Sequence, residues 1–191
     1  MSERQTRRGL VLVVGPSGAG KDTLIAGARA ALADSADFVF PHREITRHPA
    51  AGGEPHIAVS ADEFDRRQRA GRYALAWQAH GLSYGVPANI LDDLKAGRAV
   101  VVNVSRTIIA DARRRFGMVH IVRVTASERA LRARLAARGR EGLSEIEARL
   151  ARAGAYVLSG RNEVTIDNSG AVEQAVAAFT AFLRSLQPVR A

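Results

Sequence analysis

Gly15-Pro-Ser-Gly-Ala-Gly-Lys21-Asp22-Thr23 is the stretch that decides the fold, and it directly follows the apolar run Leu10–Val14. Its glycines and its lysine have the spacing of a phosphate-binding P-loop, in which main-chain N–H groups surround phosphate oxygens and a helix begins at the lysine. The alternative is an ordinary glycine-rich turn between a strand and a helix. The apolar run before the loop and the lysine in register favour nucleotide binding.

The residue types in this loop divide into phosphate ligands and metal ligands. We predict nucleotide contacts from the loop residues Gly15, Pro16, Ser17, Gly18, Ala19, Gly20, Lys21, Asp22 and Thr23. One position departs from the pattern, because Asp22 stands where a serine or threonine hydroxyl usually ligates magnesium. A carboxylate can hold Mg²⁺ directly or through water. Asp22 and Thr23 are therefore the candidate metal residues.

The composition limits the class of protein. The chain has 191 residues, no cysteine and a formal net charge of +9. This length suits one α/β domain over residues 1–191, and without cysteine there is neither a disulfide framework nor a thiolate zinc site. The first residues are polar and lack an apolar segment long enough for secretion or membrane spanning. We expect a cytoplasmic enzyme with no membrane partner.

The excess of positive charge also occurs in nucleic-acid-binding proteins, which are the main alternative from another functional class. Most of the basic residues are arginines spread through helical patterns, and the chain has one Trp and three Tyr to stack on bases. We therefore expect no nucleic-acid partner. Part of the charge is interpreted as a field that attracts a highly phosphorylated substrate.

Short apolar runs alternate with helical patterns along the chain. The runs predict buried strands at Leu10–Val14, Phe38–Phe40, Ala99–Val104, Val119–Val124 and Val164–Ile166. This alternation predicts a parallel sheet flanked by helices, the architecture of a P-loop NTPase. Helix boundaries are indicated by the capping box Ser60-Ala-Asp-Glu63, by Pro87 as a first helical position and by Gly97 as a stop.

Two segments between the second and third predicted strands lack a helical period. Residues 72–86 predict a strand, a turn at His80-Gly81 and a second strand, which together form a small lid-like subdomain. Residues 43–57 are irregular and too long for a passive connection, which indicates contact with a ligand. We assign about 41–86 to an acceptor-binding region.

Arginines cluster on a predicted helix that begins after Thr125 and ends near Gly139. Arg134 and Arg138 are four residues apart and share a face, and Arg149 lies on the next predicted helix. The plain alternative is a solvated basic helix face. Because a P-loop precedes them, we interpret residues 127–153 as a lid whose guanidinium groups neutralise a transferred phosphoryl group.

Together these features resemble the guanylate kinase family of P-loop kinases over nearly the whole chain. The local matches are Gly15–Thr23, Thr46-Arg47 with Gly53-Glu54, Tyr84-Gly85, the arginines 134, 138 and 149, and Thr165-Ile-Asp-Asn168. The resemblance implies ATP and Mg²⁺ as cofactors. It implies catalytic roles for Lys21, Arg134, Arg138 and Arg149, a nucleotide contact at Asn168, and substrate contacts at Arg47, Tyr84 and Arg43.

The departures from this family fall where guanylate kinases recognise guanine, at Ala76, Val86, Asn103 and Ser105. A pocket that lacks these hydrogen-bonding groups does not select guanine over other ligands. These departures and the pair Lys21-Asp22 are similar to the ribose 1,5-bisphosphate phosphokinases. That resemblance implies transfer of a phosphoryl group from ATP to the 1-phosphate of ribose 1,5-bisphosphate, giving 5-phospho-α-D-ribose 1-diphosphate (PRPP) and ADP.

Three alternatives stay open at this point. They are a guanylate or other nucleoside monophosphate kinase, a kinase of another small metabolite such as a sugar acid, and a non-catalytic guanylate-kinase-like binding module. Lys21 and the lid arginines argue against the binding module, which normally dispenses with the phosphate-binding lysine. We expect a small phosphorylated sugar as substrate, and a homodimer is left open.

Overall fold

The elements of the fold were defined on a computed structural model that describes residues 7–48, 55–138 (main chain only at 137 and 138) and 162–188. The strands are β1 Leu10–Val14, β2 Phe38–Val39, β3 Glu44–Ile45, β4 Ile57–Ala58, β5 Tyr73–Ala79, β6 Leu82–Pro87, β7 Ala99–Asn103, β8 Val119–Thr125 and β9 Glu163–Asp167. The α-helices are α1 Lys21–Ala31, α2 Ala61–Arg69, α3 Ile90–Lys95, α4 Ile109–Arg115, α5 Glu128–Arg138 and α6 Val172–Ser185. A 3-10 turn, Arg106–Ile108, precedes α4.

The main sheet has the strand order β2-β7-β1-β8-β9, and every neighbouring pair is parallel. The central strand β1 sends Leu10 and Leu12 to one core cluster and Val11 and Val13 to the other. All four side chains are fully buried, as expected for a parallel sheet covered on both faces. The prediction of an α/β fold with a parallel sheet is confirmed. The order places the carboxyl ends of β1 and β7 side by side, where the glycine-rich loop begins.

A second, smaller sheet has the order β4-β3-β6-β5. Its antiparallel hairpin β5–β6 turns at His80 and Gly81, with φ of 52° and 72°. Two consecutive residues with positive φ make the tight turn that suits a two-residue hairpin loop, so the predicted strand, turn and strand are confirmed. Leu75 and Trp77 belong to the same core cluster as Leu10 of the main sheet, so the two sheets share one hydrophobic core.

Three local expectations were wrong. Pro87 ends β6 instead of starting a helix, and α3 begins at Ile90. Because β3 pairs with β6 only as far as Gly85, the missing N–H of Pro87 removes no ladder bond there. The predicted buried strand 38–40 is a partly buried edge strand of two residues. The segment 43–57 is not wholly irregular, since it contains β3 and the first residue of β4.

Two predicted helix boundaries are confirmed. The Ser60 hydroxyl accepts a hydrogen bond from the Glu63 N–H at 3.1 Å, which caps α2. Helix α3 ends at Lys95, and Gly97 follows with a φ of 73°. In the part of the chain that the structure describes, no helix is both long and apolar enough to cross a bilayer.

Candidate active site

The loop between β1 and α1 has the backbone geometry that only its glycines permit. The φ angles are 151° at Gly15, 84° at Gly18 and 88° at Gly20, values that residues with a side chain rarely adopt. Space is limiting as well. A Cβ on Gly15 would lie 2.2 Å from the Val124 carbonyl oxygen, and one on Gly20 would lie 2.3 Å from Asn168 Nδ2. The loop can therefore approach β8 and the segment after β9 only with glycine at these positions.

Lys21 holds its ammonium group over this loop. Its Nζ donates to the carbonyl oxygens of Gly15 and Pro16, each at 2.9 Å. Helix α1 also begins at Lys21, so the positive end of the helix dipole and the ammonium charge act on the same space. An anion such as a phosphate group is favoured there by both.

Asn168 supports the loop from behind. Its side chain is 1% exposed, and its Nδ2 donates to the Ala19 carbonyl oxygen at 2.7 Å. Its main-chain N–H donates to the Thr125 carbonyl oxygen at 2.8 Å, and its own carbonyl oxygen accepts from Arg134 Nη2 at 2.8 Å. Asn168 thus joins the loop, the end of β8 and helix α5. Its contact with a nucleotide stays a prediction, but its supporting role is visible.

The arginines predicted to form the lid are only partly described. Arg134 lies beside the loop, since its Nη1 is 3.9 Å from the position of a Cβ on Gly20. This Nη1 is buried and has no hydrogen-bond partner among the described residues, an arrangement that is costly without a ligand. Arg138 is the last residue of α5 and only its main chain is described. Arg149 and the predicted contact Gly53-Glu54 lie outside the described residues.

The two predicted metal residues, Asp22 and Thr23, lie on different sides of α1. Asp22 lines a cleft between α1 and the end of β7, where its Oδ1 accepts from Asn103 Nδ2 at 2.7 Å. Thr23 lines a groove between α1 and α6, because neighbouring helical residues point about 100° apart. Residues 7–48, 55–138 and 162–188 contain no group of three or more His, Asp or Glu side chains that could hold a metal ion. A magnesium ion at Asp22 would therefore take most of its ligands from phosphates and water.

The cleft beside Asp22 continues along α1 to the segment that follows β2. Helix α1 contributes Asp22 and Arg29, which share a face, and the opposite wall includes Asn103, His42 and Arg43. The cleft therefore has a carboxylate near the phosphate loop and two arginines further along, of which Arg29 donates from Nη2 to the Phe40 carbonyl oxygen at 3.0 Å. Arg29 and Asn103 were not predicted as site residues. The spacing of seven residues between Asp22 and Arg29 was the signal available for Arg29.

Arg43 is fixed in this wall by aromatic rings. Its side chain is 7% exposed, and its Cζ lies 5.6 Å from the Trp77 ring centroid and 5.3 Å from that of Tyr84. The two rings stack on each other with centroids 5.3 Å apart. Such cation–π contacts hold a guanidinium in place. Two of the predicted substrate residues, Arg43 and Tyr84, are thus brought together, whereas Arg47 Nη2 lies 3.3 Å from His56 Nδ1.

A buried carboxylate secures the residue next to Arg43. Glu44 Oε2 accepts from the Tyr73 hydroxyl at 2.5 Å and lies 2.8 Å from Arg67 Nη1. Burial and the hydrogen bond to Glu44 raise the pKa of Tyr73, so its hydroxyl remains a donor throughout the neutral range. The network joins β3, β5 and α2. It therefore fixes β3, which begins directly after the cleft arginine Arg43.

The positions where guanylate kinases recognise guanine serve other purposes in this chain. Val86 is fully buried in the core, and Asn103 is engaged with Asp22. The Ser105 hydroxyl accepts from the Thr107 N–H and hydroxyl at 3.4 and 2.9 Å. These contacts agree with the prediction that the pocket does not select a purine.

Comparison with known proteins gives the family. No protein-family model matches the chain. Ribose 1,5-bisphosphate phosphokinase PhnN of Acidiphilium cryptum is 56% identical over 174 residues, covering 91% of this chain and 91% of that protein. The protein of the same name from Bradyrhizobium diazoefficiens is 51% identical over 164 residues, covering 86% and 82% of the two chains. A crystal structure of guanylate kinase from Anaplasma phagocytophilum has the same fold, with a TM-score of 0.62 at 18% identity over 96% of this chain and 88% of that one. The chain therefore belongs to the ribose 1,5-bisphosphate phosphokinase family, on a guanylate-kinase-like fold.

Proposed function

We propose that this chain transfers the γ-phosphoryl group of ATP to the 1-phosphate of ribose 1,5-bisphosphate, giving 5-phospho-α-D-ribose 1-diphosphate and ADP. The names of its relatives agree with this reaction. The observation that carries the proposal is the cleft that runs from Asp22 beside the phosphate loop to Arg29 and Arg43. The cleft is narrow, and it leads from the phosphate loop to arginines that could bind the second phosphate of a bisphosphate acceptor.

The donor would bind at the loop between β1 and α1. Its phosphates would accept from main-chain N–H groups and from Lys21, which now donates to two loop carbonyls. The buried Nη1 of Arg134 would gain the partner that it lacks among the described residues. The Asp22 carboxylate offers the oxygen ligand that Mg²⁺ prefers. When bound with ATP, the ion would neutralise negative charge on the phosphoryl group that is transferred.

Transfer to the acceptor depends on positive charge and on the position of the acceptor phosphate more than on proton transfer. A phosphate monoester is largely a dianion at neutral pH, since its second pKa is about 6, so no general base is needed. The rate then depends on orientation and on neutralising charge in the transition state. Guanidinium groups bind phosphate through two parallel hydrogen bonds. We assign one acceptor phosphate to Arg47 and Tyr84, as the family resemblance implies, and the second acceptor phosphate to Arg43 and Arg29.

The remaining lid arginines keep the roles that the family resemblance implies. Arg138 and Arg149 are proposed, with Arg134, to stabilise the phosphoryl group in transfer. Helix α5, which Arg138 ends, is tied to the loop through the bond from Arg134 to the Asn168 carbonyl oxygen. This hydrogen bond fixes the first helix of the lid beside the donor site.

The proposal is tested by identifying the product with ³¹P NMR. The protein is incubated with ATP, Mg²⁺ and ribose 1,5-bisphosphate, and the signals of the sugar phosphates are followed. The expected result is loss of the 1-monophosphate signal, with a diphosphate at that position and ADP appearing in equal amounts. A new diphosphate at the 5-position would show that the acceptor lies the other way round, and an unchanged spectrum would refute the proposal.

A further inference from the structure

Asn103 contacts the residue that makes this phosphate loop unusual. It is the last residue of β7, and its Nδ2 donates to Asp22 Oδ1 at 2.7 Å across 81 positions of sequence. Both side chains line the same cleft. The proposed reaction as described above gives Asn103 no role of its own.

The chemistry of the pair fixes how the amide is oriented. An ionised carboxylate only accepts hydrogen bonds, so Asn103 must present its NH₂ group to Asp22. With Oδ1 engaged in this way, the carboxylate is held in one orientation and Oδ2 remains available to a cation or a water. A carboxylate at position 103 would instead place two negative charges side by side, which disfavours ionisation of both.

The pair is the reverse of the usual arrangement in P-loop enzymes. There, Mg²⁺ is held by a hydroxyl in the loop and by an aspartate of the Walker B strand. Here the carboxylate stands on α1 after the lysine, and the neutral partner stands at the end of β7, the strand beside β1. In both arrangements a carboxylate faces a neutral polar side chain. The neutral side chain is a hydroxyl in the usual arrangement and an amide here.

We propose that Asp22 and Asn103 form one functional unit in which the negative charge has moved from the strand to the helix, and that Asn103 is a positioning residue for the metal-facing carboxylate. Metal affinity is then a property of the pair and not of Asp22 alone. This inference rests on the proposed binding of Mg²⁺ and ATP. It is independent of which acceptor is phosphorylated.

The experiment moves the carboxylate from position 22 to position 103 and measures binding without turnover. The dissociation constant of the non-hydrolysable analogue β,γ-imido-ATP is measured by calorimetry with saturating Mg²⁺ and again with EDTA, and the ratio gives the gain due to metal. The variants are Asp22→Ser, Asn103→Asp, Asn103→Ala and the double variant Asp22→Ser/Asn103→Asp. Ser105→Ala is the matched control, because Ser105 bonds to Thr107 two residues away. Thermal unfolding of each variant verifies the fold.

Asp22→Ser and Asn103→Ala are each expected to lower the gain due to metal about tenfold, the size of effect typical of a hydrogen bond to a charged group. Asn103→Asp is expected to change the gain in the opposite direction, since a second carboxylate raises the affinity for a divalent cation. The double variant is expected to return to within about threefold of the parent, since the serine hydroxyl can donate to the new carboxylate. An unchanged gain in Asn103→Ala would overturn the positioning role. A double variant as weak as Asp22→Ser alone would overturn the pair. If the parent shows no gain due to metal, the inference falls, whatever acceptor the protein uses.

Discussion

Replacing Gly20 with alanine tests how the phosphate loop is supported. The φ of 88° at Gly20 would cost alanine about 1–2 kcal/mol, because a Cβ clashes with the main chain in this conformation. The new methyl group would also lie 2.3 Å from Asn168 Nδ2 and would displace this amide from the Ala19 carbonyl oxygen. Leaving that buried acceptor without a partner costs about 1–3 kcal/mol. We therefore expect Gly20→Ala to lower the free energy of unfolding by about 2–5 kcal/mol.

Two controls separate the backbone cost from the contact with Asn168. Gly97 has a φ of 73° and nothing within 4 Å of a Cβ, so Gly97→Ala should show only the backbone cost of about 1–2 kcal/mol. In an Asn168→Ala background the clash is removed, and Gly20→Ala should again cost only that amount. Urea unfolding at neutral pH gives these free energies, and calorimetry gives the affinity for ATP. Equal losses for Gly20→Ala and Gly97→Ala would refute the claim that Asn168 supports the loop.

Three further predictions address the donor site, the acceptor site and the core. Lys21→Ala should lower kcat/KM by about 10²–10³-fold or more without a shift in thermal unfolding; transfer at the parent rate would remove Lys21 from the mechanism. Arg29→Gln should raise the KM for ribose 1,5-bisphosphate about tenfold and leave the KM for ATP unchanged. The control Arg115→Gln, on the surface of α4, should alter neither KM value. Equal changes in both KM values for Arg29→Gln would contradict a role of Arg29 in binding the acceptor. Burial lowers the pKa of His120, so the unfolded chain takes up a proton below pH about 6.5 that the folded chain does not. Stability should therefore fall as the pH drops below this value, and His120→Gln should reduce that loss between pH 7.5 and 5.5 in urea unfolding. The exposed His80 serves as control, and a loss as large in His120→Gln as in the parent would contradict the argument.

The phosphate loop and the class of fold could be predicted because their signals are local. Glycine spacing, the following lysine and the apolar run before it specify a strand, a turn and a helix without reference to the rest of the chain. The hairpin at His80-Gly81 was predictable for the same reason. Pro87 was misassigned because proline suits both a helix start and a strand position with no ladder partner, and only the short reach of β3 decides between them.

The candidate site was less predictable, because its contacts join distant segments. The bond from Asn103 to Asp22 and that from Asn168 to Ala19 depend on which strands lie beside β1. Sequence patterns give the strands but not their order in the sheet. The cation–π contacts of Arg43 with Trp77 and Tyr84 likewise require the small sheet to be assembled. The role of Arg43 as a substrate residue, and those of Arg47, Arg138 and Arg149, stay predictions.

The central claim is that the acceptor is a doubly phosphorylated sugar without a base. The most direct measurement is ADP release from ATP and Mg²⁺ with ribose 1,5-bisphosphate, GMP, AMP or gluconate as the single acceptor, at equal concentrations. Turnover is expected with the bisphosphate alone, because Arg29 and Arg43 line the cleft and Val86 is buried at a position where a guanine-binding pocket is polar. Turnover with GMP at a comparable rate would contradict it.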